Sequence, residues 1–245
     1  LVNAQPNEQH VTPGRSNRPA QVVKPYVILI SADGFRYDYI DKYDAANIKR
    51  LASGGVRAAS MLPSFPSVTF PNHYTIATGL YPSHHGLVYN QFYDPRKKQS
   101  YSMGDRKAVE EGSWYGGTPL WVLAEQQGML SASYHFVGTE APIQGIYPTY
   151  WYTFRDRLPI DDRIATVVKW LTLHQPQRPH LITFYMSDVD HAGHDHGPDA
   201  PETGAAVKEV DAAVGKLAEA VGKLGLPVNL DRKSTRLNSS HVALS

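Results

Sequence analysis

Between Asp188 and Pro198 the sequence places three aspartates and three histidines within eleven residues: Asp188, Asp190, His191, His194, Asp195 and His196. Asp190 and His194 stand four apart, so a single helical turn brings a carboxylate and an imidazole to one side, where they can share a cation. Hard oxygen with imidazole suits Zn, Mn or Fe better than Ca; the competing reading is a solvated turn. His191 and His196 are then left around the site or on the surface. Asp33 lies two residues beyond the apolar run Tyr26 to Ser31, and by itself is better explained as a turn former or helix cap. The stretch Pro63 to Asn90 is rich in hydroxyls and prolines, and Thr69 stands out in it. A threonine at a helix start beside a divalent cation feels two influences that ease ionisation of its hydroxyl, the metal and the helix dipole. Against this, threonine N-caps are commonplace and rarely catalytic. His73, on the same helix, reads as a hydrogen-bonded core histidine.

Composition narrows the chemistry. The 245 residues carry a net charge of +1, contain no cysteine and are 42% hydrophobic with 11% aromatics. At roughly 150 residues per domain this is one large domain or two small ones, with enough apolar content for a core. Interspersed charge offers no basic footprint for duplex nucleic acid or an anionic membrane. Without cysteine there is no disulfide framework, thiolate zinc site or cysteine nucleophile, so a metal must sit on histidine and carboxylate. No run of eighteen apolar residues predicts a membrane span.

The elements that must position these residues follow from periodicity. Tyr26 to Ser31 and Leu181 to Met186 are short continuous apolar runs, the pattern of strands buried on both faces. Leu130 to Tyr134 predicts another strand, and Val56 to Leu62 a further one. Helices are expected over Ala46 to Ser53, over Thr69 to Thr78 with Thr69 as N-cap and Pro71 in the first turn, and over Pro119 to Gln127. Two more are expected at Ile160 to His174 and at Glu202 to Leu224, where Val210, Ala213, Val214, Leu217 and Val221 keep the helical period. Strands alternating with helices argue an α/β fold with a mainly parallel sheet, whose ligands gather beyond the strands' carboxyl ends. Asp33 and Asp190 both fall there.

The order Ile30-Ser31-Ala32-Asp33-Gly34-Phe35-Arg36, then Thr69-Phe70-Pro71-Asn72-His73-Tyr74, Thr78-Gly79-Leu80-Tyr81-Pro82, His85-Gly86 and Asn90, then Asp190-His191-Ala192-Gly193-His194 with Gly197-Pro198, resembles the nucleotide pyrophosphatase/phosphodiesterase family of the alkaline phosphatase superfamily. Each motif alone is weak; together and in order they are specific. The resemblance implies an alkaline-phosphatase-like α/β sandwich with a mainly parallel central sheet flanked by helices. It also implies a phosphodiesterase with two Zn²⁺ and a covalent nucleotidyl-threonine intermediate. Carried over by position, Asp33 and Thr69 belong to one metal and Asp190 and His194 to the other. Thr69 is the nucleophile, and Asn90 with the Thr69 backbone N–H faces the non-bridging phosphate oxygens. Phe70 and Phe154 resemble the aromatic pair that stacks on a nucleotide base. Phe154 and Ser187 depart from the family, where tyrosine and glutamate are frequent.

The ends carry their own expectations. Residues 1–25 read as an exported N-terminal linker or signal-peptide remnant, because Val2-Asn3-Ala4 before Gln5 has small residues where a signal peptidase reads and the segment is polar; this implies a periplasmic or secreted protein. Residues 26–229 read as the N-terminal part of the catalytic domain. Residues 230–245 lose all periodicity, and Asp231 to His241 back-translates to a sequencing-library adapter, so they are expected not to be native. The family's Ser-Asp-His-Gly motif and a later histidine, three further ligands, have no counterpart there. The sheet is therefore expected to be incomplete at the C-terminus with an unpaired edge, the ligand set incomplete, and the fragment inactive. Partners are small nucleotides or phosphodiesters; oligomeric state has no sequence signal. A phosphomonoesterase or choline-type phosphodiesterase of the same superfamily, or a non-catalytic binding protein on this fold, stays open as an alternative.

Overall fold

In a computed structural model of the chain, which describes residues 7–235 and 242–243, the two buried apolar runs lie side by side at the centre of a sheet. The strands are β1 (Gln9–Val11), β2 (Tyr26–Asp33), β3 (Val56–Arg57), β4 (Gln91–Asp94), β5 (Gln99–Ser102), β6 (Ser131–Tyr134), β7 (Tyr150–Tyr152), β8 (Leu181–Met186), β9 (Val228–Thr235) and β10 (Val242–Ala243). Among the described residues the main sheet runs β1-β7-β6-β8-β2-β9-β10-β3, while β4 and β5 form a separate hairpin. From β7 through β9 the neighbours are parallel; the outer pairings are antiparallel.

The helices are α1 (Pro19–Val22), α2 (Tyr39–Lys42), α3 (Ala46–Ser53), α4 (Thr69–Thr78), α5 (Pro82–His85), α6 (Arg106–Val109), α7 (Leu120–Gln126), α8 (Ile160–Leu171), α9 (Asp188–His196) and α10 (Pro201–Leu224). They cover both faces of the sheet, and strand alternation divides them. Ile28 and Ile30 on β2, with Ile182, Phe184 and Met186 on β8, pack against α8 and α10 through Val167, Trp170, Val210, Val214 and Leu217. Leu29, Leu181 and Tyr185 point the other way and join Tyr74, Trp121 and Phe136 on the side of α4 and α7. With a side-chain period of two, Asp33 continues the row of Leu29 onto the α4 face. Burial on both faces is what makes these strands read as unbroken apolar runs.

Polar contacts fix how the layers meet. The first turn of α3 has no cap from its own N-cap residue, Ala45. Asp211 on α10 substitutes, accepting from Ile48 N at 2.8 Å, Asn47 N at 3.2 Å and Asn47 Nδ2 at 2.9 Å. A carboxylate at that helix start satisfies otherwise orphaned donors and complements the dipole.

Several expectations shift. Residues 7–25, within the segment read as a linker, pack onto the domain: β1 pairs antiparallel with β7, Arg15 forms an ion pair with Glu125 at 3.0 Å, and Asn17 accepts from Leu130 N at 2.8 Å while donating to Arg178 O at 2.7 Å. A polar segment docks here because its hydrogen bonds, rather than apolar burial, hold it, which composition does not reveal. Val2, Asn3 and Ala4 lie outside the described residues, as do 236–241 and 244–245. An unpaired edge is expected of the incomplete sheet; it does not fall on β2, with which β9 pairs in parallel from Tyr26↔Val228 to Asp33↔Thr235. That pairing extends through the residues read as non-native, because a parallel ladder is made by backbone groups and places little demand on side-chain pattern. The strand predicted over Val56 to Leu62 is confined to Val56–Arg57.

Candidate active site

The site forms where β2 and β8 end side by side, with α9 following β8 directly and the start of α4 brought against the end of β2. The register Ser31↔Tyr185 and Ala32↔Met186 puts the carboxyl ends of the two strands level. Asp33, the last residue of β2, is fully buried, and Gly34 turns the chain at φ +70°. A Cβ on Gly34 would lie 2.5 Å from Asp190 Cα and 2.7 Å from Asp190 N. Two segments far apart in sequence are thus in backbone contact between the two acidic residues.

Thr69 opens α4 as its first helical residue, with Val68 in the capping position. The expectation of Thr69 as N-cap is corrected: its hydroxyl donates to Asp33 Oδ2 at 3.0 Å rather than serving as the helix's cap. The same oxygen accepts from the Tyr185 phenol at 2.9 Å, and Oδ1 accepts from Gly34 N at 3.0 Å. Asn90 is brought to the helix start, where its Oδ1 accepts from Phe70 N at 2.9 Å. His73 is fully buried, and its Nδ1 lies 2.8 Å from Thr69 O.

The aspartate-histidine cluster folds as α9, and the turn of helix sets Asp190 Oδ1 3.5 Å from His194 Nε2. His194 is exposed, Asp190 half-buried. His191 points elsewhere, to Asp156 at 3.3 Å, and His196 is exposed. The chemistry of both donor pairs fits a zinc-like cation: carboxylate with hydroxyl at Asp33 and Thr69, carboxylate with imidazole at Asp190 and His194. Neither pair is a full set, and among the described residues no three His, Cys, Asp or Glu side chains converge on a point.

Beside Thr69 lies a cavity of about 230 Å³, below the roughly 300–1,000 Å³ of complete ligand pockets, so a ligand there stays partly open to solvent. Phe70 and Phe154 both line it, with Tyr185, His135, Glu140 and Arg106. Phe154 is 38% exposed, and its ring meets His135 and Tyr185 edge-on at centroid distances of 5.1 and 6.3 Å. Glu140 Oε2 accepts from Arg106 Nη2 at 2.6 Å and from Phe154 N at 3.1 Å, fixing the backbone that carries Phe154. Burial, with Arg163 nearby, pushes His135 down to about 3, so it is neutral at ordinary pH. Sequence reasoning missed Tyr185, His135, Arg106 and Glu140. Strand alternation counted from Leu181 could have placed Tyr185 on the α4 face; the others come from loops and a one-turn helix with no periodic signal.

Behind α4, His85 is fully buried, accepts from Leu87 N through Nδ1 at 3.2 Å and has Nε2 3.0 Å from Thr75 Oγ1. Burial pushes it down to about 4. Unfolded chain binds the proton near pH 6.5 while the folded chain does not, so stability should be complete above about 6.5 and decline as pH falls toward 4. The slope is up to about 1.4 kcal/mol per pH unit for each such histidine, and His135 acts in the same direction. Urea midpoints measured from pH 7.5 to 5 should fall, and less so in His85→Gln; a flat profile would contradict the assignment.

Comparison with known proteins places this geometry in context. The profile of the family described as type I phosphodiesterase / nucleotide pyrophosphatase matches residues 27–231. The chain is 38% identical over 193 residues to ectonucleotide pyrophosphatase/phosphodiesterase family member 1 of Mus musculus, covering 78% of this chain and 21% of that protein. It is 38% identical over 187 residues to venom phosphodiesterase 2 of Crotalus adamanteus, covering 76% and 23%. The structure of an inactive variant of murine ectonucleotide pyrophosphatase/phosphodiesterase 5 in complex with AMP superposes with a TM-score of 0.81 at 30% identity, over 86% of this chain and 56% of that one. The fold is therefore alkaline-phosphatase-like, as its parallel sheet flanked by helices anticipates. The chain spans about a fifth of the length of these two curated relatives.

Proposed function

This chain belongs to the type I phosphodiesterase/nucleotide pyrophosphatase family, and from that premise we propose that it provides the nucleophile of a metal-dependent enzyme hydrolysing nucleotide phosphodiester or pyrophosphate bonds. The observation that carries the reading is the Thr69 hydroxyl at the start of α4, held on the buried Asp33 carboxylate at 3.0 Å with Asn90 alongside. Asp33 and Thr69 would hold one zinc, Asp190 and His194 a second; two donors apiece imply weak retention by these residues alone. Zinc, when bound, eases ionisation of the Thr69 hydroxyl and offsets charge on the attacking and leaving oxygens.

Asp33 Oδ2 receives the Thr69 hydroxyl proton in a hydrogen bond and so directs the oxygen's lone pairs. Thr69 Oγ1 gives up its proton to solvent and bonds to phosphorus as the bond to the leaving oxygen breaks, the leaving group taking a proton from solvent, giving a nucleotidyl-threonine. Water then displaces Thr69 Oγ1 from phosphorus, its oxygen bonding to phosphorus while Thr69 Oγ1 takes back a proton and the second is released to solvent, and the nucleotide leaves. The start of α4 presents N–H groups and the positive end of its dipole to the phosphoryl group. Asn90, whose Oδ1 is committed to Phe70 N, offers its amide N–H to an equatorial oxygen. Phe70 and Phe154 stack on the base from the cavity wall. The AMP bound by the murine relative supports a nucleotide as substrate. Relatives named as ectonucleotide and venom enzymes support function outside the cytoplasm; no helix among the described residues is long and apolar enough to cross a membrane.

Turnover of a nitrophenyl nucleotide ester, nitrophenyl phosphate and a nitrophenylphosphoryl choline ester by the intact, zinc-loaded protein tests the reading. The nucleotide ester should lead in kcat/KM by about tenfold or more, the scale of one well-used binding contact. Equal turnover of the monoester would move the chain to the phosphomonoesterases.

A further inference from the structure

We propose that Tyr185 is a positioning residue for the nucleophile, its phenol holding the Asp33 carboxylate in the orientation that receives the Thr69 hydroxyl. The inference rests on the reading of Thr69 as nucleophile and Asp33 as metal ligand given above. Among the described residues three donors reach that carboxylate: Gly34 N on Oδ1 at 3.0 Å, and on Oδ2 both Thr69 Oγ1 at 3.0 Å and Tyr185 Oη at 2.9 Å. Gly34 N belongs to the next residue and Thr69 is the reacting group itself. Tyr185 is the donor of the three that comes from an independent, rigid element.

That element gives the phenol its precision. Tyr185 is 7% exposed on the central strand β8, directly beside β2, so its backbone is fixed by the ladder that also fixes Asp33. Its ring meets the His73 ring edge-on, with centroids 4.9 Å apart and planes at 80°. His73 Nδ1 in turn lies 2.8 Å from the Thr69 carbonyl oxygen. The contacts therefore close a circuit, from Thr69 to Asp33 to Tyr185 to His73 and back to Thr69. A ring of packed and hydrogen-bonded groups holds rotamers more tightly than any one contact, because moving one member strains the next. A residue serving packing alone would need only the ring; the phenolic oxygen is spent on the carboxylate.

Tyr185→Phe in the intact protein keeps the ring and removes the oxygen. Zinc affinity, read by competition with a chromophoric chelator, should weaken about tenfold or more, the scale for losing an outer partner of a ligand. With the nitrophenyl nucleotide ester kcat should fall by a similar factor while KM holds, and far-ultraviolet circular dichroism should match wild type. Unchanged zinc affinity and kcat would overturn the positioning role. A raised KM with intact kcat would assign the phenol to substrate binding and overturn it equally. A wild type that neither holds zinc nor turns over the ester would overturn the functional reading and this inference together, whereas an active wild type with an indifferent variant overturns this inference alone.

Discussion

Thr69→Ala should reduce turnover of a nucleotide ester by on the order of 10⁴-fold or more, equivalent to about 5.5 kcal/mol of transition-state stabilisation. The substitution removes the Thr69 hydroxyl that donates to Asp33 Oδ2, and with it the atom that would carry the covalent intermediate. The fold should persist. Alanine suits the first turn of a helix whose capping position is Val68. The lost hydrogen bond to a charged acceptor is worth about 1.5–3 kcal/mol, while Tyr185 and Gly34 N remain on the carboxylate. Rapid-quench measurement should show a burst of leaving group in wild type and none in the variant. Retained activity with an unchanged burst would rule out threonine as nucleophile.

Gly34→Ala should damage both fold and site, and for a reason visible in the backbone alone. Gly34 has φ +70°, which costs an L-residue roughly 1–2 kcal/mol. The new methyl would also stand 2.5 Å from Asp190 Cα, which no rotamer change can relieve because the obstacle is main chain. Overpacking of this kind costs about 1–3 kcal/mol, giving an expected loss of roughly 2–5 kcal/mol in urea denaturation at unchanged m-value. Relief requires β2 and α9 to separate, parting Asp33 from Asp190. Turnover should therefore collapse even at temperatures where the variant is folded. Stability within about 0.5 kcal/mol of wild type, with an unaltered rate, would show that the two segments are not in contact.

Within the candidate site, the local spacing was legible in the sequence and the contacts across the fold were not. Asp190 and His194 could be paired from their spacing of four because a helical turn is a local object, and α9 supplied it. Asp33 was weak alone, since an aspartate after a strand has many uses; its partners Thr69 and Tyr185 lie 36 and 152 residues away. Helix boundaries from apolar period were close for α4, α8 and α10. The short pieces, β1, β7, β4–β5 and α6, escaped because three- and four-residue elements contain too little period to register. Those same pieces carry Arg106 and hold the loops of Phe154 and Glu140 beside the cavity.

The chain's own order of residues carries the residue types, the unbroken apolar runs that bury β2 and β8 on both faces, and the helical turn joining Asp190 to His194. These rest on local covalent geometry, so neighbours along the chain suffice. Tertiary structure decided that β2 and β8 lie side by side in register, that Gly34 lets their acidic ends meet, and that Tyr185 and Thr69 converge on one oxygen of Asp33. Those facts depend on hydrogen bonds and close approach between segments separated by tens to hundreds of residues, and no local period encodes which segments will meet.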